Sequence, residues 1–191
     1  MDLAFPKNNE ADFTKIAKKL GITLLFAYDK QEKNNTLEIG IYPIIKKANL
    51  LIAYAKENIR EQIEKWPIDA LIDIENVTFN QVLLSLIAKR KIILIFLLEN
   101  LLYSENKIKK LEKIQLLIPL LRKYNVQFMF ATGAKSPYNL RSMHDLMSFG
   151  LLMGMMDQEV KNSFNLLKER IEHNQKIKKG QIDSSGIIVE E

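Results

Sequence analysis

The run Ile92-Ile93-Leu94-Ile95-Phe96-Leu97-Leu98 contains no polar residue. Successive side chains of a strand point to opposite faces, so a strand here is apolar on both. It must then be covered on both sides, which is the condition of a parallel sheet sandwiched by helices. As a helix the run is far too short to span a bilayer. Further short stretches rich in Ile, Leu, Phe and Val read as strands near 2–5, 22–27, 37–42, 50–54, 69–74 and 126–131.

Between most of these the spacing predicts helices. Residues 9–20 carry Phe13, Ile16, Ala17 and Leu20 at helical intervals, and Gly21 is a suitable stop. A short helix is expected over 57–65, ending before Pro67. Another is expected over 80–90, with Asn80 as N-cap and Lys89-Arg90-Lys91 at the negative end of its dipole. The longest covers 105–123, with Ile108, Leu111, Ile114, Ile118 and Leu121 on one face and Lys107, Lys109, Lys110 and Lys113 on the other. Pro119 is expected to kink or restart it.

After 131 only helices follow. Ser142 and Asp145 have the spacing of a capping box, and Asp157 is placed to cap a last helix reaching about 173. Repeated βα units imply a parallel sheet with right-handed crossovers. The number of strands favours a barrel or an incomplete barrel over an open sheet. One connection breaks the rule. Between 37–42 and 50–54 there is no room for a crossover helix, so that region is expected to be irregular or antiparallel. A single α/β-barrel domain over 1–173 and a polar tail over 174–191 are expected, as the 191-residue length suggests.

The chain has no cysteine, which removes disulfides, thiolate zinc sites and a cysteine nucleophile, and fits a cytoplasmic setting. Met1-Asp2-Leu3-Ala4-Phe5-Pro6 has neither the basic region nor the apolar stretch of a signal peptide, and no membrane partner is expected. The net charge of +5 makes nucleic acid a natural partner, because Lys and Arg contacts to phosphate release counterions.

In a parallel barrel the working face is the carboxyl end of the strands. Asp73 and Glu75 lie at such an end, two residues apart and expected to point the same way; Asp2, Glu38 and Glu99 lie in or beside other strands. A ring of acids could hold a divalent metal and support a metal-dependent phosphoesterase. Against this, His144 and His173 are the only histidines, and both fall in the helical C-terminal part. Solvated or salt-bridged carboxylates are the plainer alternative. No phosphate-binding loop, dinucleotide fingerprint or nucleophile elbow is present.

The segment from Ala131 to Ser142 stands apart. Gly133 permits an unusual turn. Ser136 followed by Pro137 reads as an N-cap and first-turn proline, whose free N–H groups would attract anions, with Lys135 and Arg141 beside them. This is either a phosphate-gripping corner or simply a helix start with two solvated cations. The lysines of 105–123 and the 89–91 run offer further cations, each with an ordinary role as solvated surface or dipole partner. A barrel-shaped interaction module unrelated to RNA is a third reading, to be told apart by whether the basic face is continuous or scattered.

The run Gly133-Ala134-Lys135-Ser136-Pro137-Tyr138-Asn139-Leu140-Arg141-Ser142, with Asp145-Leu146 and then Gly150-Leu151-Leu152-Met153-Gly154-Met155, resembles the signature of the ribonuclease P protein component 3 family, the archaeal and eukaryotic 30-kilodalton subunits. Fainter similarity covers Lys47-Ala48-Asn49-Leu50-Leu51-Ile52, Asn58-Ile59-Arg60, Asn80-Gln81-Val82-Leu83, the strand at 92–97 and Glu99-Asn100-Leu101-Leu102. The stretch 28–49 looks shorter than in the family. The resemblance implies a TIM-barrel-like fold of the polymerase-and-histidinol-phosphatase type, without that type's histidine ligands. It implies a non-catalytic subunit of ribonuclease P, which removes the 5′ leader of precursor tRNA, with the catalytic RNA and its Mg²⁺ doing the chemistry. Implied partners are that RNA, the precursor tRNA within the complex, and the component 2 protein, as a heterotetramer. The protein itself is expected to bind no cofactor or metal and to have no catalytic residue. RNA contacts are expected from Lys135, Ser136, Arg141, Arg60, Arg90, Lys47, Lys109 and Lys113.

Overall fold

The computed structural model describes residues 1–28, 38–41, 49–55 and 58–181. Lys47 and the end of the expected tail lie outside them. In chain order the strands are β1 (Asp2–Ala4), β2 (Leu24–Tyr28), β3 (Glu38–Ile41), β4 (Ile52–Tyr54), β5 (Ala70–Ile72), β6 (Ile93–Leu97) and β7 (Phe128–Ala131). The helices are α1 (Glu10–Leu20), α2 (Ile59–Lys65), α3 (Gln81–Lys89), α4 (Leu98–Leu102), α5 (Lys107–Lys123), α6 (Met143–Leu152), α7 (Asp157–Ser163) and α8 (Leu166–Lys178).

Strands β4, β5, β6 and β7 form a parallel sheet in that order, and β1, β2 and β3 form a second sheet. Within the second, β1 and β2 are parallel and β3 runs antiparallel to β2, from Leu25↔Ile41 to Tyr28↔Glu38. The antiparallel partner of β3 is thus β2 and not the strand that follows it, β4; the connection 42–48 between β3 and β4 lies outside the described residues. A closed TIM barrel would need β3 to pair with β4, and among the described residues these strands belong to different sheets. The fold shown is a mixed α/β one with a four-stranded parallel sheet and covering helices.

Strand alternation distributes the core. Leu3, Leu25, Ile39, Ile52, Ile72, Ile95 and Met129, one from each strand, belong to a single buried cluster. The alternate residues Ala53, Leu71, Leu94, Phe96, Phe128 and Phe130 pack outward in a cluster shared with α2, α3, α5, α6 and α7. Phe96 and Phe130 stack at 5.3 Å, and Phe149 of α6 meets Phe130 edge-on at 5.2 Å. Ala4, Leu24 and Phe26 face α1 in the same way. The strand β6 therefore has apolar partners on both faces, as the 92–98 run required.

The caps follow the sequence. Gly21 takes φ 64° and its N–H closes α1. The Asn80 side chain accepts from Leu83 N at 2.9 Å. Pro119 falls within α5 without interrupting it. It lies on the exposed side, where water can solvate the carbonyl that proline leaves unbonded. Ile108, expected on the buried face, is 67% exposed; the buried residues of α5 begin at Ile114. The single helix expected from 157 is two, α7 and α8, with Met156 rather than Asp157 at the N-cap. Helix α8 runs past residue 173. It closes the amino end of the strands: Leu167 and Ile171 enter the inner cluster. Asn174 Nδ2 donates to Asn49 O at 2.7 Å and to Asp69 Oδ2 at 3.0 Å.

The two sheets meet between β7 and β1. The buried Asp2 carboxylate accepts from Leu3 N (2.8 Å), Thr132 N (2.7 Å) and Thr132 Oγ1 (2.6 Å). Gly133 N donates to Leu3 O at 2.9 Å, Phe5 N donates to Ala134 O at 2.8 Å, and Ala4 and Ala134 form a parallel bridge. Burial pushes the Asp2 carboxyl up, and its hydrogen bonds to Thr132 and Leu3 oppose the shift. A raised native pKa means that the folded state holds its proton longer than the unfolded chain. This residue's contribution to stability is therefore greatest at low pH and falls as pH rises through the raised value. Asp2→Asn preserves the acceptor for both N–H groups and can donate to Thr132 Oγ1. Denaturant unfolding should show it no less stable than the parent at neutral pH, with the parent gaining on it as pH falls. Asp2→Ala leaves two buried N–H groups unpaired and should lose about 3 kcal/mol.

Candidate nucleic-acid interface

The chain leaves β7 at Thr132, whose carbonyl accepts from Glu99 N at 2.9 Å and so fixes the start of α4. Gly133 follows with φ 61°, and a Cβ there would stand 3.0 Å from Leu97 Cβ. Both the left-handed backbone and the close approach to β6 require glycine. Pro137–Asn139 then form a single 3-10 turn. Asn139 Nδ2 donates to both Glu99 carboxylate oxygens at 3.2 Å, and Leu140 is buried against α1. The Arg141 guanidinium donates to Leu140 O (3.0 Å) and Tyr138 O (3.3 Å). The corner is thus held on three sides. It presents Lys135 and Tyr138, the latter 84% exposed, with Ser136 and Arg141 half-buried.

Ser136-Pro137 does not open an α-helix: it opens only the 3-10 turn, and the Ser136 side chain makes no cap bond. The α-helix start lies at Ser142, where a capping box uses the local donors. Asp145 Oδ2 accepts from Ser142 N at 3.1 Å, and Asp145 N donates to Ser142 Oγ at 3.2 Å. Hydrogen bonds from Ser142 hold the Asp145 carboxyl below the usual carboxylate range. The corner therefore offers the charges of Lys135 and Arg141 but no α-helix terminus at Ser136.

The remaining cations divide by position along the fold. Helices following a strand begin at its carboxyl end, so Arg60 in the first turn of α2 and Lys109 in the first turn of α5 lie at the same end as Lys135 and Arg141. Arg60 is exposed and pairs with Glu64 at 2.9 Å; Lys109 is exposed. Lys113 Nζ donates to Glu75 O at 3.1 Å and so tethers the loop after β5. Arg90 ends α3 at the opposite, amino end, where its guanidinium reaches Glu64 O at 3.4 Å. A single surface cannot easily contain both Arg90 and Lys135. Sequence reading missed Lys7, which the β1–β7 joint carries to the same side as Lys135. Their separation in sequence left no local signal.

Asp73 and Glu75 sit in different local structures. Strand β5 ends at Ile72; Asp73 turns into the left-handed region at φ 57°, and Glu75 sits in the 3-10 turn Ile74–Asn76, so the two do not share a strand face. Asp73 Oδ1 accepts from Asn100 Nδ2. Glu75 is 4% exposed, and burial first, then Asp73, pushes its carboxyl up. Asp2 and Glu99 serve the stitches described above, and Glu38 is the first residue of β3. Among the described residues no group of three His, Cys, Asp or Glu is placed to hold a metal ion. Among them, too, no helix is long and apolar enough to cross a membrane.

A cavity of about 390 Å³ opens at the carboxyl ends of the strands. Lys7 and Lys135 line it from the β1–β7 side and Asp73 and Asn100 from the β5–β6 side, with Phe5, Ala27, Tyr54 and Leu97 also in its lining.

No family model and no curated protein sequence matches the chain. Among solved structures, a chain in the cryo-EM structure of archaeal ribonuclease P with mature tRNA matches with a TM-score of 0.71 and 13% identity, over 99% of this chain and 98% of that one. The likeness is one of fold, and it spans the full length of both chains.

Part of the 133–155 block is explained by packing alone. A Cβ on Gly150 would lie 3.1 Å from Val160 Cγ2 and 3.2 Å from Met155 Sδ, so α6 and α7 cross there more closely than a side chain ordinarily allows, and Gly154 turns with φ 98°. Gly133→Ala should destabilise the fold by about 2 kcal/mol in chemical denaturation, from left-handed strain and the Leu97 contact together.

Proposed function

We propose that this chain is a protein subunit of ribonuclease P that binds and stabilises the catalytic RNA without cutting bonds itself. The observation that carries the proposal is the conjunction at the Gly133 corner. The residues that resemble the component 3 signature fold into a braced surface with Lys135 and Arg141 at its edge, on a fold matched end to end by a chain of an archaeal ribonuclease P structure.

In this reading the arrangement is an incomplete barrel of the polymerase-and-histidinol-phosphatase type, and its carboxyl end faces the RNA. Lys135, Arg141, Arg60 and Lys109 neutralise backbone phosphates and release counterions. Ser136 adds a hydroxyl to the same edge. Contacts of this kind read the shape and backbone of a structured RNA more than its sequence. Lys113 contributes less, because its ammonium is already bonded to Glu75 O, and Arg90 belongs to a different face. Lys47 keeps its expected role from the sequence alone. The Mg²⁺ of the cleavage step resides with the RNA, the component 2 protein is the protein partner in a heterotetramer, precursor tRNA is the substrate, and the setting is cytoplasmic.

Precursor-tRNA cleavage reconstituted from the RNA and protein subunits tests the reading. Adding this chain should raise the rate or lower the Mg²⁺ demand; no change in either would count decisively against it. Lys135→Ala with Arg141→Ala should weaken RNA binding and flatten the plot of log affinity against log salt by about 1–2 units, at roughly 0.7–0.9 per lost phosphate contact.

A further inference from the structure

The cavity at the carboxyl end is polarised. Lys7 and Lys135 are brought together because Phe5 N donates to Ala134 O and Ala4 bridges Ala134. Across from them, Asn100 Nδ2 donates to Asp73 Oδ1, which leaves Asp73 Oδ2 and Asn100 Oδ1 as acceptors for a ligand. Among the described residues neither Lys7, Lys135 nor Asp73 pairs with an opposite charge. Asp73 is moreover held at φ 57°, a conformation that costs energy for a residue with a side chain. Between these two poles the wall is apolar and carries Phe5 and Tyr54.

A ligand complementary to this cavity has an anion at one end, a flat apolar body, and hydrogen-bond donors at the other end. The volume of about 390 Å³ falls in the ordinary range for small-molecule sites. We propose that the cavity takes one unpaired nucleotide of an RNA strand, with its phosphate at Lys7 and Lys135 and an amino-bearing base edge at Asp73 and Asn100. This deepens the RNA-binding reading above and rests on it. Unpaired bases can leave their stack and lie against aromatic side chains. A carboxylate accepts from the cytosine amino group, whereas the uracil carbonyl in the same place would face it with like partial charge. Cytidine is thus favoured over uridine. The alternative of a simple anion site fails to use Asp73, which would repel a lone phosphate.

The test is an NMR titration of the full chain with CMP, UMP and inorganic phosphate, followed by oligouridine with and without one central cytidine. CMP should bind saturably and about tenfold more tightly than UMP, with phosphate weaker than both. Lys7→Ala should weaken CMP and UMP alike. Asp73→Asn, which suits the left-handed backbone, should bring the CMP to UMP ratio close to one while leaving the spectrum of a folded protein. The single cytidine should tighten oligonucleotide binding by the same factor as in the mononucleotides.

Equal affinity for CMP and UMP, phosphate binding as tight as CMP, or no saturable response overturns the proposal. So does a preference confined to the free mononucleotide and absent from the oligonucleotide. Reconstitution that responds to this chain while CMP and UMP are indistinguishable removes the pocket and keeps the ribonuclease P reading. Cytidine preference in CMP and oligonucleotide without any effect on reconstitution supports the pocket and removes that reading.

Discussion

The Asp2 carboxylate, buried and shared among Leu3 N, Thr132 N and Thr132 Oγ1, is where the two sheets become one body. A buried carboxylate is costly unless its oxygens are satisfied, and here they are satisfied only when β1 and the end of β7 lie side by side. That constraint propagates. With Thr132 fixed, its carbonyl fixes Glu99 N, Glu99 holds Asn139, and the loop between them can only run along β1. Lys135 then lies beside Lys7, and the inner apolar cluster is continued from β7 into β1. The position of the cationic corner is a consequence of a hydrogen-bonding problem solved in the interior.

The same bonds account for what the carboxyl end lacks. Carboxylates at strand ends can serve as metal ligands or as acceptors for backbone and amide donors, but the same oxygens seldom do both well. Asp2, Glu99 and Asp73 are each engaged with N–H groups, and Glu75 is buried with its carboxyl pushed toward the neutral form. What remains toward the cavity is the ammonium of Lys7 and Lys135, the second oxygen of Asp73 and the side chains of Phe5 and Tyr54. The carboxylates of Asp2 and Glu99 are spent on bracing the neighbouring loops.

The two ends of the strands are built for different purposes. At the amino end α8 inserts Leu167 and Ile171 into the inner cluster and satisfies Asn49 O and Asp69 with Asn174. At the carboxyl end no helix plays that part among the described residues, and a polarised cavity stands open. The division separates cations that are close in composition but unlike in role: Arg90 binds a helix-terminal carbonyl at one end, while Lys135 sits on the cavity at the other.

The sequence by itself determined the α/β class, all seven strands and most helix limits, because strand alternation, Gly21, Asn80 and the Ser142–Asp145 box act within a few residues of where they are read. It also marked the Gly133 corner as unusual. What it could not supply were facts created by contacts far apart in the chain. The antiparallel return of β3 and the pairing of Asp2 with Thr132 are of this kind. So is the break after Ile72 that puts Asp73 in the left-handed region and Glu75 in a 3-10 turn, since the local pattern fits a longer strand and the loop is held by Asn100 and by Lys113 of α5. Ser136-Pro137 looked like a helix start because cap and proline are local signals. The three-residue turn that formed instead reflects Leu140 being drawn into the α1 core and Asn139 onto Glu99. Local chemistry chose the elements; long-range hydrogen bonds and burial chose which charged groups would meet.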